Sequence, residues 1–158
     1  MTPSIEELHA LATTFRTAIL ACPPESLLPT LRDFPLGACG DASILLGEFL
    51  HERGAGEWDY LAGERNGDQH SHAWVEQNGL IIDITADQFA DVEEPVIITR
   101  DREWHAQFNI DPVLCRTARI AVYDPGTTRL LTDTYDQIRS DQELPVKSAM
   151  KLGIRGFH

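Results

Sequence analysis

The dipeptide Asn78-Gly79 stands between two apolar-rich runs, His70–Gln77 and Leu80–Ile84. Asn-Gly is what a two-residue type I′ turn demands, because both central residues must take positive φ. A chain carrying it between two strand-like runs folds back antiparallel on itself. The register then follows from the turn: Gln77 opposes Leu80, Trp74 opposes Asp83 and His72 opposes Thr85. Opposed residues project to the same face, and residues two apart on a strand share a face. His72 and Asp83 are therefore diagonal neighbours on one face, about 7–8 Å apart at the backbone. That separation allows an aspartate–imidazole hydrogen bond.

Upstream, Trp58–Glu64 reads as a further strand, joined to His70–Gln77 through the turn-rich Asn66-Gly67-Asp68. The first segment, Ser4 to about Leu20, reads as a helix. Ser4 and Glu7 have capping-box spacing, and Ile5, Leu8, Leu11, Ala12, Phe15 and Ile19 recur at helical intervals. Pro23-Pro24 ends it, and a short helical piece is expected around Glu25–Arg32 despite Pro29. A loop, Pro35 to Asp41, feeds a central helix through Ala42, Leu45, Leu46, Phe49 and Leu50 to a C-cap at Gly54.

Beyond Thr85 a strand is expected at Val96–Thr99, a short helix at Asp101–Phe108 and a strand at Cys115–Tyr123, stopped by Asp124-Pro125-Gly126. A last helix, Thr128–Arg139, shows Leu130, Leu131, Tyr135 and Ile138 as its apolar face, and the tail from Glu143 is left unassigned. Helices first, then a mostly antiparallel sheet, imply an α+β fold. At 158 residues, one domain spanning 1–158 is expected.

Composition closes off some functions. A formal charge of −12 with no basic stripe argues against nucleic-acid binding. It leaves room for a basic protein partner. No apolar run approaches the roughly 20 residues that span a bilayer, so no membrane partner is expected. The acidic, amphipathic start MTPSIEELHAL does not read as a signal peptide, and a cytoplasmic location is the expectation.

The cysteines Cys22, Cys39 and Cys115 form no CxxC pair and suggest neither a disulfide framework nor a structural zinc site. Cys22 lies between a helix end and two prolines, and Cys115 sits between Leu114 and Arg116; both read as structural. Cys39 differs, because it follows Gly37 at the start of the central helix. Helix N-termini carry unpaired N–H groups and partial positive charge. Such a setting stabilises a thiolate and can hold an oxyanion. Gly37 and Gly40 leave room for a substrate backbone, while Asp41 opposes the thiolate slightly. A thiol needs a base, and the base needs a group that orients it. Cys39, His72 and Asp83 supply these three in that order. Each also has a plain structural reading, as a buried thiol, a satisfied histidine and a strand-end carboxylate.

The segments GACGDASILLGEFL and SHAWVEQNGLIIDITADQF resemble the transglutaminase-like branch of the papain-like cysteine proteases, over roughly Pro35 to Phe89. His72-Ala73-Trp74 also resembles the enzymes that cleave leader peptides in lasso-peptide maturation. The resemblance implies a papain-like fold, with N-terminal helices and a Cys-bearing helix on an antiparallel sheet. It implies a Cys39–His72–Asp83 triad forming a thioester, no cofactor, and a peptide or protein substrate. Hydrolysis, deamidation and acyl transfer all occur in the group. Papain has glutamine six residues before its cysteine; here that position is Asp33. The Cys39 N–H is then the first oxyanion donor, with Gln88 or the Trp58 indole as candidates to assist and Trp74 as a wall of the site. Two rivals stand beside this reading. One is a metal-dependent enzyme built on His70, His72 and Asp83. The other is a non-catalytic binding module, an adaptor or immunity protein, on the same fold.

Overall fold

The structure is a computed structural model and describes residues 2–141. The expectations for the tail from Glu143 lie outside the described residues.

The first helix, α1 (Ile5–Ala21), begins with the capping box its sequence spells. The Ser4 hydroxyl accepts the Glu7 N–H at 3.1 Å, and the Glu7 carboxylate accepts the Ser4 N–H at 2.8 Å. Leu8, Ala12, Phe15, Ala18 and Ile19 are buried, but Ile5, in the first turn, is exposed. The expected helical piece near Glu25–Arg32 is instead two 3-10 turns, Pro24–Ser26 and Pro29–Leu31, each starting at a proline. Helix α2 (Cys39–Glu52) starts at the cysteine and is buried along most of its length, Ala42 to Leu50. Gly54 takes φ +81°, and the Ala55 N–H returns to the Leu50 carbonyl at 2.9 Å, closing the helix.

The sheet contains β1 (Asp59–Arg65), β2 (Ser71–Gln77), β3 (Leu80–Asp83), β4 (Ile97–Thr99), β5 (Phe108–Ile110) and β6 (Arg116–Thr117). Its order is β4-β3-β2-β1-β5, with β6 also on β1, and every pairing is antiparallel. The hairpin is in the register its turn implies: Gln77 pairs with Leu80, Glu76 with Ile81 and Val75 with Ile82. Asn78 and Gly79 have φ of 50° and 80°, as a type I′ turn requires.

The two faces of the hairpin bury different things. Val75, Leu80 and Ile82 join α1, α2 and the last helix in the main core. Trp74 and Ile81 face the other way, into a smaller cluster with Phe89, Phe108, Leu61 and Trp104. His72 and Asp83, two residues from Trp74 and Ile81, fall on that second face. Gly47 of α2 lies against Ala118, which a Cβ there would approach to 2.3 Å; the glycine permits this seating.

Three expectations after Phe89 are corrected. Asp101–Phe108 is not a helix: only His105–Gln107 forms a 3-10 turn, and Phe108 opens β5, drawn into the sheet by pairing with Arg65. Cys115–Tyr123 shrinks to the two-residue β6 and a 3-10 turn at Ile120–Val122. Asp124-Pro125-Gly126 does not merely stop a strand. It starts α3 (Pro125–Asp141), with proline at the first position and the Asp124 carboxylate accepting the Thr127 N–H at 2.9 Å. The buried face of α3 is Leu131, Tyr135 and Ile138, while Leu130 turns out to solvent.

The described residues form a mixed α+β structure, three α-helices with one antiparallel sheet. No helix among them is long and apolar enough to cross a membrane.

Candidate active site

The hairpin register brings His72 and Asp83 together as the pleat implies. His72 Nε2 lies 2.7 Å from Asp83 Oδ2, and both side chains are fully shielded from solvent. Asp83 Oδ1 accepts the Thr85 N–H at 3.0 Å, fixing the carboxylate plane at the strand end. Burial alone would push the Asp83 carboxyl up and His72 down. The pair overrides both. The charge of His72 and the hydrogen bonds from His105 and His72 hold Asp83 well below the usual carboxylate range. The Asp83 charge and hydrogen bond, then the Cys39 thiol, raise His72 from 6.5 to about 9.

His105 is the member of this group that sequence reasoning missed, since it lies in the segment expected as a short helix, Asp101–Phe108. Its Nε2 also lies 2.7 Å from Asp83 Oδ2. The 3-10 turn that carries it is pinned on several sides. Trp104 Nε1 donates to Asp91 at 2.9 Å, and the Gln107 amide donates to the Trp104 carbonyl at 2.8 Å while accepting from Arg65 at 2.9 Å. Trp74 lies edge-on to the His105 ring, with centroids 4.7 Å apart. No local pattern signals any of this, because β5 and its preceding turn are placed by pairing with β1.

Cys39 is the first residue of α2 and is half-buried. Ala38 precedes it without a side-chain cap, so the first N–H groups of the helix are not met by an N-cap side chain. Cys39 shares the wall of a cleft of about 870 Å³ with Gly40, Tyr60, Ala62, Gly63 and His72, and the cleft extends to Asn109–Leu114. With Nε2 given to Asp83, the other ring nitrogen of His72 is the one left for the thiol. That nitrogen, Nδ1, is buried and has no well-formed hydrogen bond among the described residues. The thiol nonetheless lies near enough to raise the His72 pKa through both hydrogen bonding and charge. Such loose thiol–imidazole geometry is common before substrate binds.

The remaining expectations divide. Gly40 lines the cleft, and the Tyr60 hydroxyl lies 3.3 Å from where a Gly40 Cβ would stand. Gly37 takes φ +68° in open space and donates its N–H to Gln88 Oε1 at 3.5 Å. Gln88 also donates to the Thr85 carbonyl at 3.0 Å, so it ties the Cys39 loop to the end of β3 and lies outside the cleft wall. Trp74 is 1% exposed and backs the histidines instead of walling the cleft. The Trp58 indole is buried and spent on the Ala55 carbonyl at 3.1 Å. Asp33 is exposed. Cys22 is buried, with its thiol on the Ala18 carbonyl, and Cys115 donates to the Asp111 carbonyl.

His70 does not join Asp83. Its side chain is 64% exposed and sits 3.4 Å from Asp68. The cluster with metal-ligand spacing is instead His72, Asp83 and His105, whose candidate ligand atoms lie within 4.8 Å of one another. Two imidazoles and a carboxylate suit zinc or iron. Here, however, both Nε2 atoms stand 2.7 Å from one oxygen, the spacing of charge-assisted hydrogen bonds. Ligands held about 2.1 Å from a tetrahedral ion would lie roughly 3.4 Å apart. The geometry is that of two donors on a carboxylate. No family model, curated protein or solved structure matches the chain.

Proposed function

We propose that the protein is a cysteine-dependent amide hydrolase or acyltransferase of the transglutaminase-like, papain-like kind, acting on a peptide or protein. One observation carries the reading. The thiol at the first turn of α2 faces a histidine whose far nitrogen is tied to a buried aspartate. In this reaction the Cys39 sulfur attacks a carboxamide or peptide carbonyl, while His72 Nδ1 holds the thiol proton. The tetrahedral intermediate collapses to a thioester as His72 gives that proton to the leaving amine. Water then releases an acid, or a second amine takes the acyl group. The raised His72 pKa keeps the imidazolium available as the acid for the first departure.

The test is iodoacetamide at about pH 6, with the labelled sites mapped by mass spectrometry. An ordinary thiol is almost wholly protonated there. Cys39 is expected to be alkylated well before Cys115, which is comparably exposed, and before the buried Cys22. Equal labelling of Cys39 and Cys115, or none at Cys39, would sink the proposal. A Cys39→Ala protein that keeps its biological role would favour a binding module instead.

A further inference from the structure

We propose that His105 is a positioning residue, whose Nε2–H holds the Asp83 carboxylate so that His72 keeps its Nδ1 turned to Cys39. This rests on Cys39 and His72 acting as nucleophile and base.

The argument begins with Asp83 Oδ2, which lies 2.7 Å from His72 Nε2 and 2.7 Å from His105 Nε2. A bare imidazole nitrogen at that distance would set lone pair against lone pair in a site shielded from solvent. Both Nε2 atoms must therefore carry hydrogen, and the carboxylate must be the acceptor. With the Thr85 N–H on Oδ1, three donors converge on one buried anion. Oδ2 has lone pairs for two such donors and is saturated, and the Thr85 N–H pins Oδ1, so the carboxylate is held against rotation.

Remove His105 and one lone pair of Oδ2 faces a wall of Trp74 and Trp104 rings, 4.7 and 4.9 Å from where the imidazole was centred. The Trp104 indole offers no replacement, since its Nε1–H is spent on Asp91. The carboxylate is then free to turn, and the His72 tautomer that leaves Nδ1 for the thiol is no longer enforced. His105 itself touches no substrate. It is 3% exposed, does not line the cleft that holds Cys39, and acts through Asp83.

The experiment follows ring N–H protons by NMR in protein carrying 15N-histidine, alongside Cys39 alkylation. In the unaltered chain, two slowly exchanging, low-field Nε2–H signals are expected, from His72 and His105. His105→Gln places an amide N–H at nearly the same reach and should keep the His72 signal and an alkylation rate within threefold. His105→Asn, one methylene shorter, and His105→Leu, with no donor, should lose the protected His72 signal and slow alkylation at least tenfold. Comparing Gln with Asn keeps the test decisive even if the leucine variant fails to fold. A protected His72 signal that survives in the asparagine variant overturns the proposal, as does its loss in the glutamine variant. Should the signals behave as expected while unaltered Cys39 shows no preferential alkylation, the hydrogen-bond assignment stands and the proposed chemistry fails.

Discussion

Attack by a thiolate throws negative charge onto a carbonyl oxygen, and a donor must meet it. The Cys39 N–H, at the start of α2, is one candidate donor. The Tyr60 hydroxyl, beside Gly40 on the cleft wall, is the other. Burial, and then the charge of Cys39, push the Tyr60 pKa well up, so the phenol stays a donor throughout the working range. Tyr60→Phe should therefore slow acylation of Cys39 by p-nitrophenyl acetate by about 100-fold, the usual scale for one lost oxyanion donor. Alkylation by iodoacetamide forms no oxyanion and should stay within twofold; equal slowing of both reactions would dismiss the role. These residues also differ in how legible they were. His72 and Asp83 could be paired from sequence because a two-residue turn dictates which strand positions share a face. Cys39 could be singled out by its glycines and its place at a helix start. Tyr60 sat in a correctly read strand, but what faces it depends on the docking of α2. Gln88 and Trp74 carry the polar and aromatic look of substrate contacts, but neither lines the cleft that holds Cys39: Gln88 hydrogen-bonds Gly37 and Thr85, and Trp74 is buried.

At the scale of elements, local chemistry was readable wherever one stretch of chain decides its own geometry. The capping box of α1 and the Asn78-Gly79 turn are of that kind. Phe108–Ile110 is the opposite case. Its strand exists because Gly63, Glu64 and Arg65 offer an edge more than forty positions earlier in the chain. Gly63 admits this approach because a Cβ there would stand 2.0 Å from the Asn109 carbonyl oxygen. The hairpin turn can be tested directly. Gly79 has φ +80°, which an L-side chain adopts only at a penalty of about 1–2 kcal/mol. Gly79→Ala should lower the unfolding free energy in urea by that amount, with little change in the slope. Since the turn also sets the His72–Asp83 register, a weakened hairpin should slow Cys39 alkylation as well. A variant of full stability and reactivity would show that the strands hold their register without the turn.

Across the whole molecule, the sheet separates two kinds of interior. One face is an ordinary apolar core shared with three helices; the other holds aromatic rings around a buried aspartate and two histidines. That second interior ties stability to pH. His72 binds its proton more tightly folded than unfolded, since its pKa rises from 6.5 to about 9. Its contribution is fully present below pH 6.5 and is lost as pH climbs through 9. Asp83 works in the other direction: its pKa is depressed, so its contribution is present above about pH 4 and fades only as strong acid protonates it in the folded state. Tyr135, buried and hydrogen-bonded to Glu52, has a raised pKa and adds a further loss above pH 10. The chain should therefore be most stable between roughly pH 4 and 6.5. Between pH 6.5 and 9 its unfolding free energy should fall at up to ~1.4 kcal/mol per pH unit, the limit for one proton taken up on folding. Any other group that binds its proton more tightly in the folded chain would add to this slope, and His72→Gln isolates the share of His72. That variant loses the titrating ring but keeps every surface charge, so urea unfolding at a series of pH values should show its slope over this interval nearly flat. An unchanged slope in His72→Gln would assign the pH dependence to other groups and remove His72 as the proton-binding group.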